Sequence, residues 1–255
     1  MCAAVSGAAV MFLVVAGVLA GITGTVGLAS LVSYPALLAV GLPPLDANVT
    51  NTVALVFIAL GAVGGSRPEL AGQAPRVLRF GALTLVGGSA GAVLLLTTPP
   101  GAFRLAVPWL IAAAGVLLAL QPRLVRRGTG ALEEHGLPIR LAVLGVGVYL
   151  GYFGAGGGVA MLAVLALTLP EPLARVNAVK TVSSGFANLL ATIIFAFSGP
   201  VHWAAAGPLA VGLLAGGYAG PAVVRLAPAT VIRLLVAVAA LGLAVWLGLD
   251  AYGAR

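Results

Sequence analysis

Charged side chains are scarce in this chain of 255 residues. Only 7% of the residues are Asp, Glu, Lys or Arg, whereas 61% are hydrophobic, and the mean hydropathy is +1.16. A soluble domain carries about 25% charged residues, so a soluble protein is excluded. The composition indicates a polytopic membrane protein. The 13 basic residues outnumber the 6 acidic ones, but they cluster in short loops, which sets membrane orientation and does not indicate nucleic-acid binding.

Residues that carry redox, metal or acid–base chemistry are also nearly absent. The single cysteine, Cys2, excludes a disulfide, a Cys-x-x-Cys pair and an iron–sulfur site. The two histidines, His135 and His202, lie in a loop and at the boundary of an apolar run, so we expect neither a metal site nor a cofactor. No carboxylate lies within an apolar run, which argues against a proton pump. Ser183 and Ser184 have no buried base at a suitable spacing, which argues against an intramembrane hydrolase.

Long apolar runs define the membrane segments. A spanning helix needs about 20 apolar residues, and six runs fit this length: 47–65, 77–96, 104–121, 176–198, 202–224 and 229–249. Residues 5–41 and 139–169 are each too long for one crossing and short for two. Glycines break these two runs at 21–27 and 154–158. We interpret each broken run as a helical hairpin that enters the membrane and returns.

The distribution of arginine favours the hairpins. If both runs return, ten arginines share one side and two lie opposite, whereas single crossings give eight against four. The positive-inside rule prefers the first distribution, and an odd number of crossings then inverts the second half. We therefore predict an all-α polytopic membrane protein with two inverted pseudo-repeats, each a glycine-broken hairpin plus three transmembrane helices. The first repeat is 1–121, a cytoplasmic linker loop is 122–138, and the second repeat is 139–255.

A duplicated pattern connects the two halves. Glycines recur with steps of four, three and three residues, about 130 residues apart, at Gly17, Gly21, Gly24 and Gly27 and at Gly147, Gly151, Gly154 and Gly157. Each set precedes an apolar run and a polar pair, Asn48 and Asn51 in the first half and Asn177 and Lys180 in the second. This pattern is typical of a transporter whose ligand site lies where two internal repeats meet.

Lys180 is the only lysine in the chain. A charge at the centre of a span costs roughly 2.5–3.5 kcal/mol, so such a residue is expected to have a role. Polar residues continue from Asn177 on one helix face, at Thr181, Ser184, Asn188 and Thr192. Two interpretations remain: the stripe lines a ligand cavity, or Lys180 merely extends to the membrane boundary.

The first half offers a matching polar cluster. Asn48, Thr50 and Asn51 open its helix, and N-capping explains one of them but not all three. The glycines either allow close helix packing or expose backbone N–H groups to an anion, and we favour the second for 154–158. One buried cation with amide and hydroxyl donors favours a small anion. The predicted substrate-binding residues are Asn48, Thr50, Asn51, Gly154, Gly157, Asn177, Lys180, Thr181 and Ser184.

In these motifs the chain resembles the sulfite exporter TauE/SafE family. The resemblance is carried by the glycine set that begins at Gly147, by Arg175-Val176-Asn177-Ala178-Val179-Lys180, by Phe197-Ser198-Gly199-Pro200-Val201-His202-Trp203 and by Gly216-Gly217-Tyr218-Ala219-Gly220. The chain departs from the family pattern at Leu28-Ala29-Ser30, where the family often repeats a glycine triplet. The resemblance implies two pseudo-repeats and movement of sulfite, sulfonates or other small organic anions across the bacterial cytoplasmic membrane. It also implies that Asn177 and Lys180 contact the ligand, with Asn48, Thr50 and Asn51 opposite.

Two classes of function remain. For an anion transporter export is favoured over uptake, because each negative charge that leaves a negative cytoplasm gains about 2.3 kcal/mol per 100 mV. Uptake would need a coupled cation, and since backbone carbonyl groups could bind one in place of a carboxylate, import stays open. A non-transporting scaffold or assembly factor would explain the apolar spans but not the duplicated polar pairs. We expect a small anionic substrate and the lipid bilayer as partners. The sequence leaves the oligomeric state open, with a homo-oligomer as one alternative.

Overall fold

The computed structural model describes residues 6–25, 27–126, 133–226 and 229–253. Within these ranges every regular element is a helix, and no strand occurs. The helices are α1 (Gly7–Gly24), α2 (Ala29–Ala39), α3 (Pro44–Gly65), α4 (Arg67–Leu70), α5 (Ala74–Thr97), α6 (Pro100–Arg126), α7 (Leu137–Tyr152), α8 (Gly157–Ala166), α9 (Leu173–Ser198), α10 (Trp203–Leu226) and α11 (Ala229–Gly253).

Six of the described helices, α1, α3, α5, α6, α9 and α10, are long and apolar enough to cross a membrane. Large apolar side chains project outward from them, among them Met11, Leu78, Trp109 and Phe197. A continuous exposed apolar surface requires lipid rather than water as its neighbour. The prediction of an all-α multi-pass membrane protein is confirmed.

The two long apolar runs are broken, as the glycines predict. Residues 25–28 separate α1 from α2, and residues 153–156 separate α7 from α8. Left-handed glycines, Gly27 at φ +90° and Gly156 at φ +76°, allow the turns. The helices α2 and α8, with 11 and 10 residues, extend only about 15–17 Å, roughly half of a bilayer core. Each packs against the helix before it, although a return to the same membrane side stays a prediction.

Helix α6 is longer than the sequence suggested. The expected span ended at 121, but α6 continues to Arg126 and so includes residues 122–126 of the predicted linker loop. Residues 127–132 of that linker lie outside the described residues. After them, a short turn at 133–136 leads into α7. The cytoplasmic side of the linker and the repeat boundaries stay predictions.

The two halves of the chain are interleaved. Helix α1 packs on α10 while α7 packs on α5, and α3 packs on α10 while α9 packs on α5. In addition, α3 contacts α9 and α6 contacts α11. When α1, α2, α3, α5 and α6 are matched in order with α7, α8, α9, α10 and α11, the contact of α1 with α10 corresponds to that of α7 with α5, and the contact of α3 with α10 corresponds to that of α9 with α5. The contacts of α3 with α9 and of α6 with α11 each join two matched helices. This pairing agrees with two pseudo-repeats, and the inversion of one repeat stays a prediction.

Glycines of the duplicated pattern make the interleaved contacts close. A Cβ atom on Gly21 would lie 2.6 Å from the backbone nitrogen of Gly217, and one on Gly147 would lie 2.9 Å from the Cα atom of Thr84. No side chain fits at such distances. The earlier glycines of each set therefore serve helix packing, which is the usual role of small residues between membrane helices.

A candidate functional site around Lys180

The two glycine-rich breaks meet inside the protein. A Cβ atom on Gly27 would lie 2.8 Å from the carbonyl carbon of Gly158, and one on Gly158 would lie 2.9 Å from the Cα atom of Gly27. The breaks therefore touch backbone to backbone, and neither position has room for a side chain. This contact brings one short irregular segment from each half of the chain beside helix α9.

Lys180 lies next to this contact and is only 2% exposed. Its Nζ atom donates to the carbonyl oxygen of Gly24 at 3.0 Å and to that of Thr25 at 3.2 Å. The last carbonyl groups of a helix have no partner within the helix, and a cation near a helix C-terminus is favourable. Because an ammonium group has three N–H donors, these two bonds leave one donor.

A cavity of about 50 Å³, called the inner cavity below, adjoins Lys180. Ser184 and Asn188 line it from α9 and are 9% and 5% exposed. Ser184 Oγ and Asn188 Oδ1 have no hydrogen-bond partner among the described residues. The cavity exceeds the roughly 10–15 Å³ that one water needs. Its lining comes from both breaks, from α3 and from α9: Gly24, Gly27, Ala29, Ser30, Leu55, Ile58, Leu150, Gly154, Gly158, Lys180, Thr181, Ser184, Gly185 and Asn188.

A larger cavity of about 320 Å³, called the vestibule below, lies next to the inner cavity. Thr181 lines both cavities, and Thr25 lines the vestibule while its carbonyl oxygen accepts a bond from Lys180. The vestibule is formed by the end of α3, by α4, by the start of α9 and by α10: Thr25, Ala62, Ser66, Glu69, Leu173, Ala174, Asn177, Ala178, Thr181 and Pro221.

The structure brings together five of the residues proposed from the sequence. Gly154, Lys180, Thr181 and Ser184 line the inner cavity, and Asn177 joins Thr181 in the lining of the vestibule. Asn177 Oδ1 is buried and has no hydrogen-bond partner among the described residues. The polar stripe of α9 thus faces two cavities that share Thr181 in their linings.

Asn48 lies outside the linings of both cavities, next to the C-terminal end of α7. Its Nδ2 atom donates to the carbonyl oxygen of Tyr152 at 2.9 Å. The bond from Lys180 to Gly24 is similar, because in each case a polar side chain of one half binds a carbonyl group at the C-terminal end of a helix of the other half, α7 for Asn48 and α1 for Lys180. Helix α3 begins at Pro44, so Asn48 is not its N-cap.

Thr50, Asn51 and Gly157 also lie outside the linings of both cavities. Asn51 Oδ1 accepts a bond from Ser33 Oγ at 2.6 Å, and Thr50 Oγ1 accepts a bond from the backbone N–H of His202 at 3.1 Å. A Cβ atom on Gly157 would meet the side chain of Leu150. Thr50 and Asn51 hold α3 to its neighbours, and Gly157 allows α8 to pack closely on α7. A ligand role for all three residues stays a prediction.

The cavities are also lined by polar residues that were not among the predicted binding residues, and Ser30 and Glu69 are two examples. Ser30 lines the inner cavity, although it lies in the segment that departs from the family's glycine triplet. Glu69 lines the vestibule from the short helix α4, and its position in a loop between spans gave no sign of this. Neither residue could be assigned to a cavity from the sequence, because a local pattern does not show which loops and helices lie beside each other in the fold.

An ion-pair network holds the loop that precedes α9. Arg76 bonds to Glu134 at 2.9 Å and to Glu171 at 2.8 Å, and Arg175 bonds to Glu171 at 3.1 Å. The hydrogen bond from Arg76 lowers the pKa of the Glu134 carboxyl and likewise that of Glu171. The network ties the start of α9, which lines the vestibule, to α5 and to the end of the linker.

Known proteins resemble this chain over almost its full length. The family model described as "Sulfite exporter TauE/SafE" matches residues 9–247. A protein of Escherichia coli named "Probable membrane transporter protein YfcA" is 28% identical over 93% of this chain and 87% of its own length. A "Probable membrane transporter protein" of Haemophilus influenzae is 26% identical over 82% of each chain. No solved structure matches the chain significantly.

The extent of the family match decides the classification. The matched region includes both glycine-rich breaks, both polar pairs and the inner cavity. The bacterial relatives are named as membrane transporters, and the outward apolar surface requires a bilayer. The chain belongs to the sulfite exporter TauE/SafE family and is a multi-pass transporter of the bacterial cytoplasmic membrane.

Proposed function

We propose that this member of the sulfite exporter TauE/SafE family moves a small anion, such as sulfite or a sulfonate, out of the cytoplasm, with the inner cavity as its binding site. One observation carries the proposal. The only lysine of the chain is buried beside a cavity lined by both halves, next to the hydroxyl of Ser184, which has no hydrogen-bond partner in the described part of the chain.

The charge of Lys180 supports an anionic ligand. Burial of an ionised group is costly unless it is paired and hydrogen-bonded. The two described partners of Lys180, at Gly24 and Thr25, are neutral carbonyl groups. An anion in the inner cavity would compensate the charge, receive the third N–H of the ammonium group and accept a bond from the Ser184 hydroxyl.

The volume of the inner cavity supports a compact ligand. Pockets for drug-sized molecules measure about 300–1,000 Å³, whereas the inner cavity measures about 50 Å³. An anion of a few heavy atoms suits this space better than a long organic sulfonate. Sulfite is therefore the first ligand to test.

Export follows from the membrane potential. The vestibule is lined by α4 and the start of α9, the segments that contain Arg67 and Arg175, and from the positive-inside rule we expect this face at the cytoplasm. An anion would enter the vestibule and pass Thr181 to reach the inner cavity. Each negative charge that leaves gains about 2.3 kcal/mol per 100 mV, so no second energy source is required.

A non-transporting scaffold is the competing interpretation. The two bonds from Lys180 to the end of α1 would also serve a protein that only has to hold its helices together. Ser184 distinguishes the two functions, because its hydroxyl oxygen has no hydrogen-bond partner among the described residues. Its removal should leave helix packing unchanged and weaken only an anion site.

The test is sulfite efflux from proteoliposomes that contain the purified chain, together with sulfite-dependent thermal stabilisation in detergent. We expect efflux that increases with an inside-negative potential. Ser184→Ala should weaken sulfite binding by about 5- to 10-fold, the effect of losing one hydrogen bond of about 1–1.5 kcal/mol, at unchanged thermal stability without ligand. Absence of efflux together with absence of stabilisation by any small anion would favour the scaffold.

A further inference from the structure

The turn between α9 and α10, residues 199–202, is docked on the first turns of α3. The Nε2 atom of His202 lies 2.8 Å from Oδ2 of Asp46, and the backbone N–H of His202 donates to Thr50 Oγ1 at 3.1 Å. A Cβ atom on Gly199 would lie 3.2 Å from Cγ1 of Val49. This arrangement, called the turn contact below, joins the second half of the chain to the first. It involves the sequence motif at 197–203, to which anion binding gives no role.

The turn contact and the vestibule lie at opposite ends of α3 and α9. The contact uses the start of α3 and the turn after α9, whereas the vestibule is lined by Ala62 near the end of α3 and by the start of α9. At 1.5 Å per residue, Asp46 and Ala62 are about 24 Å apart along α3, most of the roughly 30 Å of a bilayer core. Leu55, between them, lines the inner cavity. The inner cavity therefore lies between the vestibule and the turn contact.

The polar stripe of α9 continues from the inner cavity toward the turn contact. Asn188 lines the inner cavity, and Thr192 follows one helical turn later, beyond that lining. The Oγ1 atom of Thr192 is buried and, like Oδ1 of Asn188, has no hydrogen-bond partner within the described ranges. Buried polar groups are normally hydrogen-bonded. An unpartnered hydroxyl at this position is therefore available to a polar ligand that moves from the inner cavity toward the turn.

Apolar side chains close the space beyond Thr192. Val49, Val53, Ala191 and Phe195 are at most 4% exposed and belong to one packed cluster of α3, α9 and their neighbours. A charged ligand cannot cross such packing, because an unpaired charge in an apolar environment is very costly. It can leave at this end only if the start of α3 and the end of α9 separate.

We propose that the turn contact is the exit gate of the transporter, and that the bonds of His202 to Asp46 and Thr50 break each time an anion leaves. This inference rests on the proposed function, which supplies the anion and its direction. Both side chains of the ion pair are partly exposed, and such pairs are weak, as a gate that opens repeatedly requires. Because the contact joins the two halves, its opening lets one half move against the other, the movement that alternating access needs.

A zinc bridge across the turn contact tests the proposal. In Asp46→Cys, made together with Cys2→Ser, the new thiolate faces the imidazole of His202, and both groups are ligands that Zn²⁺ prefers. Zn²⁺ at about 100 times its Kd opposes opening by about 100-fold, so we expect sulfite efflux from proteoliposomes to fall by at least about 10-fold. A chelator should restore the efflux.

Controls and a binding measurement assign the zinc effect to the gate. Addition of His202→Gln to Asp46→Cys removes one zinc ligand and should abolish the inhibition, and Cys2→Ser alone should show none. Sulfite-dependent thermal stabilisation of Asp46→Cys should persist with Zn²⁺, because the vestibule stays accessible. Sulfite that binds but is not released is what a closed exit predicts.

Thiol labelling behind the turn contact is a second measurement, and it needs no sulfite. In Thr192→Cys, again together with Cys2→Ser, a membrane-impermeant thiol reagent is added outside intact bacterial cells that express the chain. His202→Ala combined with Thr50→Val removes both bonds of the contact and should raise the labelling rate about 5- to 10-fold, the effect of one to two hydrogen bonds. His135→Ala, a change of the other histidine of the chain, should leave the rate unchanged.

Two results would overturn the exit gate. One is undiminished efflux while Zn²⁺ is bound, with binding shown by thermal stabilisation of Asp46→Cys that His202→Gln abolishes. The other is equal labelling of Thr192→Cys with the contact intact and broken. If the unmodified chain neither binds nor releases sulfite, the proposed function fails instead, and the labelling rates alone decide whether the contact opens. The labelling rates also decide if the zinc bridge does not form.

Discussion

The ammonium nitrogen of Lys180 lies 3.0 Å from the carbonyl oxygen of Gly24, so the only lysine of the chain is bonded to the end of the first broken helix. The same residue lines the inner cavity. If the proposed function is correct, anion binding and the position of α1 both depend on this one side chain. A ligand that draws the ammonium group toward itself would weaken its hold on α1, which gives a direct physical connection between binding and helix movement.

The two roles of Lys180 can be separated by substitution. Lys180→Met removes both bonds and leaves the carbonyl groups of Gly24 and Thr25 without this donor, so we expect a loss of about 1–3 kcal/mol of stability. Lys180→Gln keeps an amide donor without the charge and should recover part of that loss. Both variants should lose sulfite binding. Thermal unfolding with and without sulfite measures the two effects, and sulfite binding by Lys180→Gln at full strength would show that the charge is not needed.

The contact between the two breaks predicts a strong effect of a single methyl group. In Gly158→Ala the new Cβ atom would lie 2.9 Å from the Cα atom of Gly27, so the breaks must separate. We expect a cost of about 1–3 kcal/mol, typical of overpacking, and weaker anion binding because both segments line the inner cavity. Gly145→Ala in α7 is the control, since no atom lies within 4 Å of its Cβ position. A similar loss of stability in both variants would mean that the contact has no special importance.

The spans and the breaks could be predicted from the sequence because each depends on local composition. Runs of apolar residues predict the helices, and glycines at 21–27 and 154–158 predict interruptions, which the structure places at 25–28 and 153–156. The bond from Lys180 to Gly24 joins residues 156 positions apart, and no local pattern contains such a relationship. The contact of Gly27 with Gly158 likewise depends on how the two halves interleave.

The hydrogen-bond partners of the polar residues at the start of α3 could not be predicted from the sequence either. Symmetry between the halves suggested that Asn51 would face the same ligand as Lys180. The Oδ1 atom of Asn51 accepts a bond from Ser33 of the neighbouring helix α2, within its own half, and a ligand role for Asn51 stays a prediction. Matched positions in a duplicated chain keep the backbone arrangement while their side chains acquire different partners.

Asn48 is predicted to stabilise the C-terminal end of α7. Asn48→Ala removes the donor to the carbonyl oxygen of Tyr152 and should cost about 1–3 kcal/mol, because that carbonyl group loses its partner in a buried place. Thr52→Ala removes only a bond to a carbonyl of its own helix and should cost less. Thermal unfolding of the two variants gives the comparison. Equal stability of Asn48→Ala and the unmodified chain would show that water or another group replaces the amide.

The network around Arg76 predicts a defined dependence of stability on pH. The hydrogen bond from Arg76 lowers the pKa of Glu134 in the folded protein, so the folded state favours the ionised carboxylate. The stabilisation is complete above the ordinary Glu pKa of about 4.3 and is lost as the pH falls through the lower folded-state value. Because both side chains are partly exposed to solvent, we expect only about 0.5–1 kcal/mol.

The comparison of Glu134→Gln with the unmodified chain measures this contribution. Thermal stability of the two proteins should differ at pH 7 and converge below about pH 4, since the protonated carboxyl resembles the amide. High salt should reduce the difference at pH 7, because it screens partly exposed charges. Glu133→Gln, the neighbouring exposed residue, controls for the loss of one charge. A difference between Glu134→Gln and the unmodified chain that persists unchanged at pH values well below the ordinary Glu pKa of about 4.3 would contradict the network and assign the effect to packing at that position.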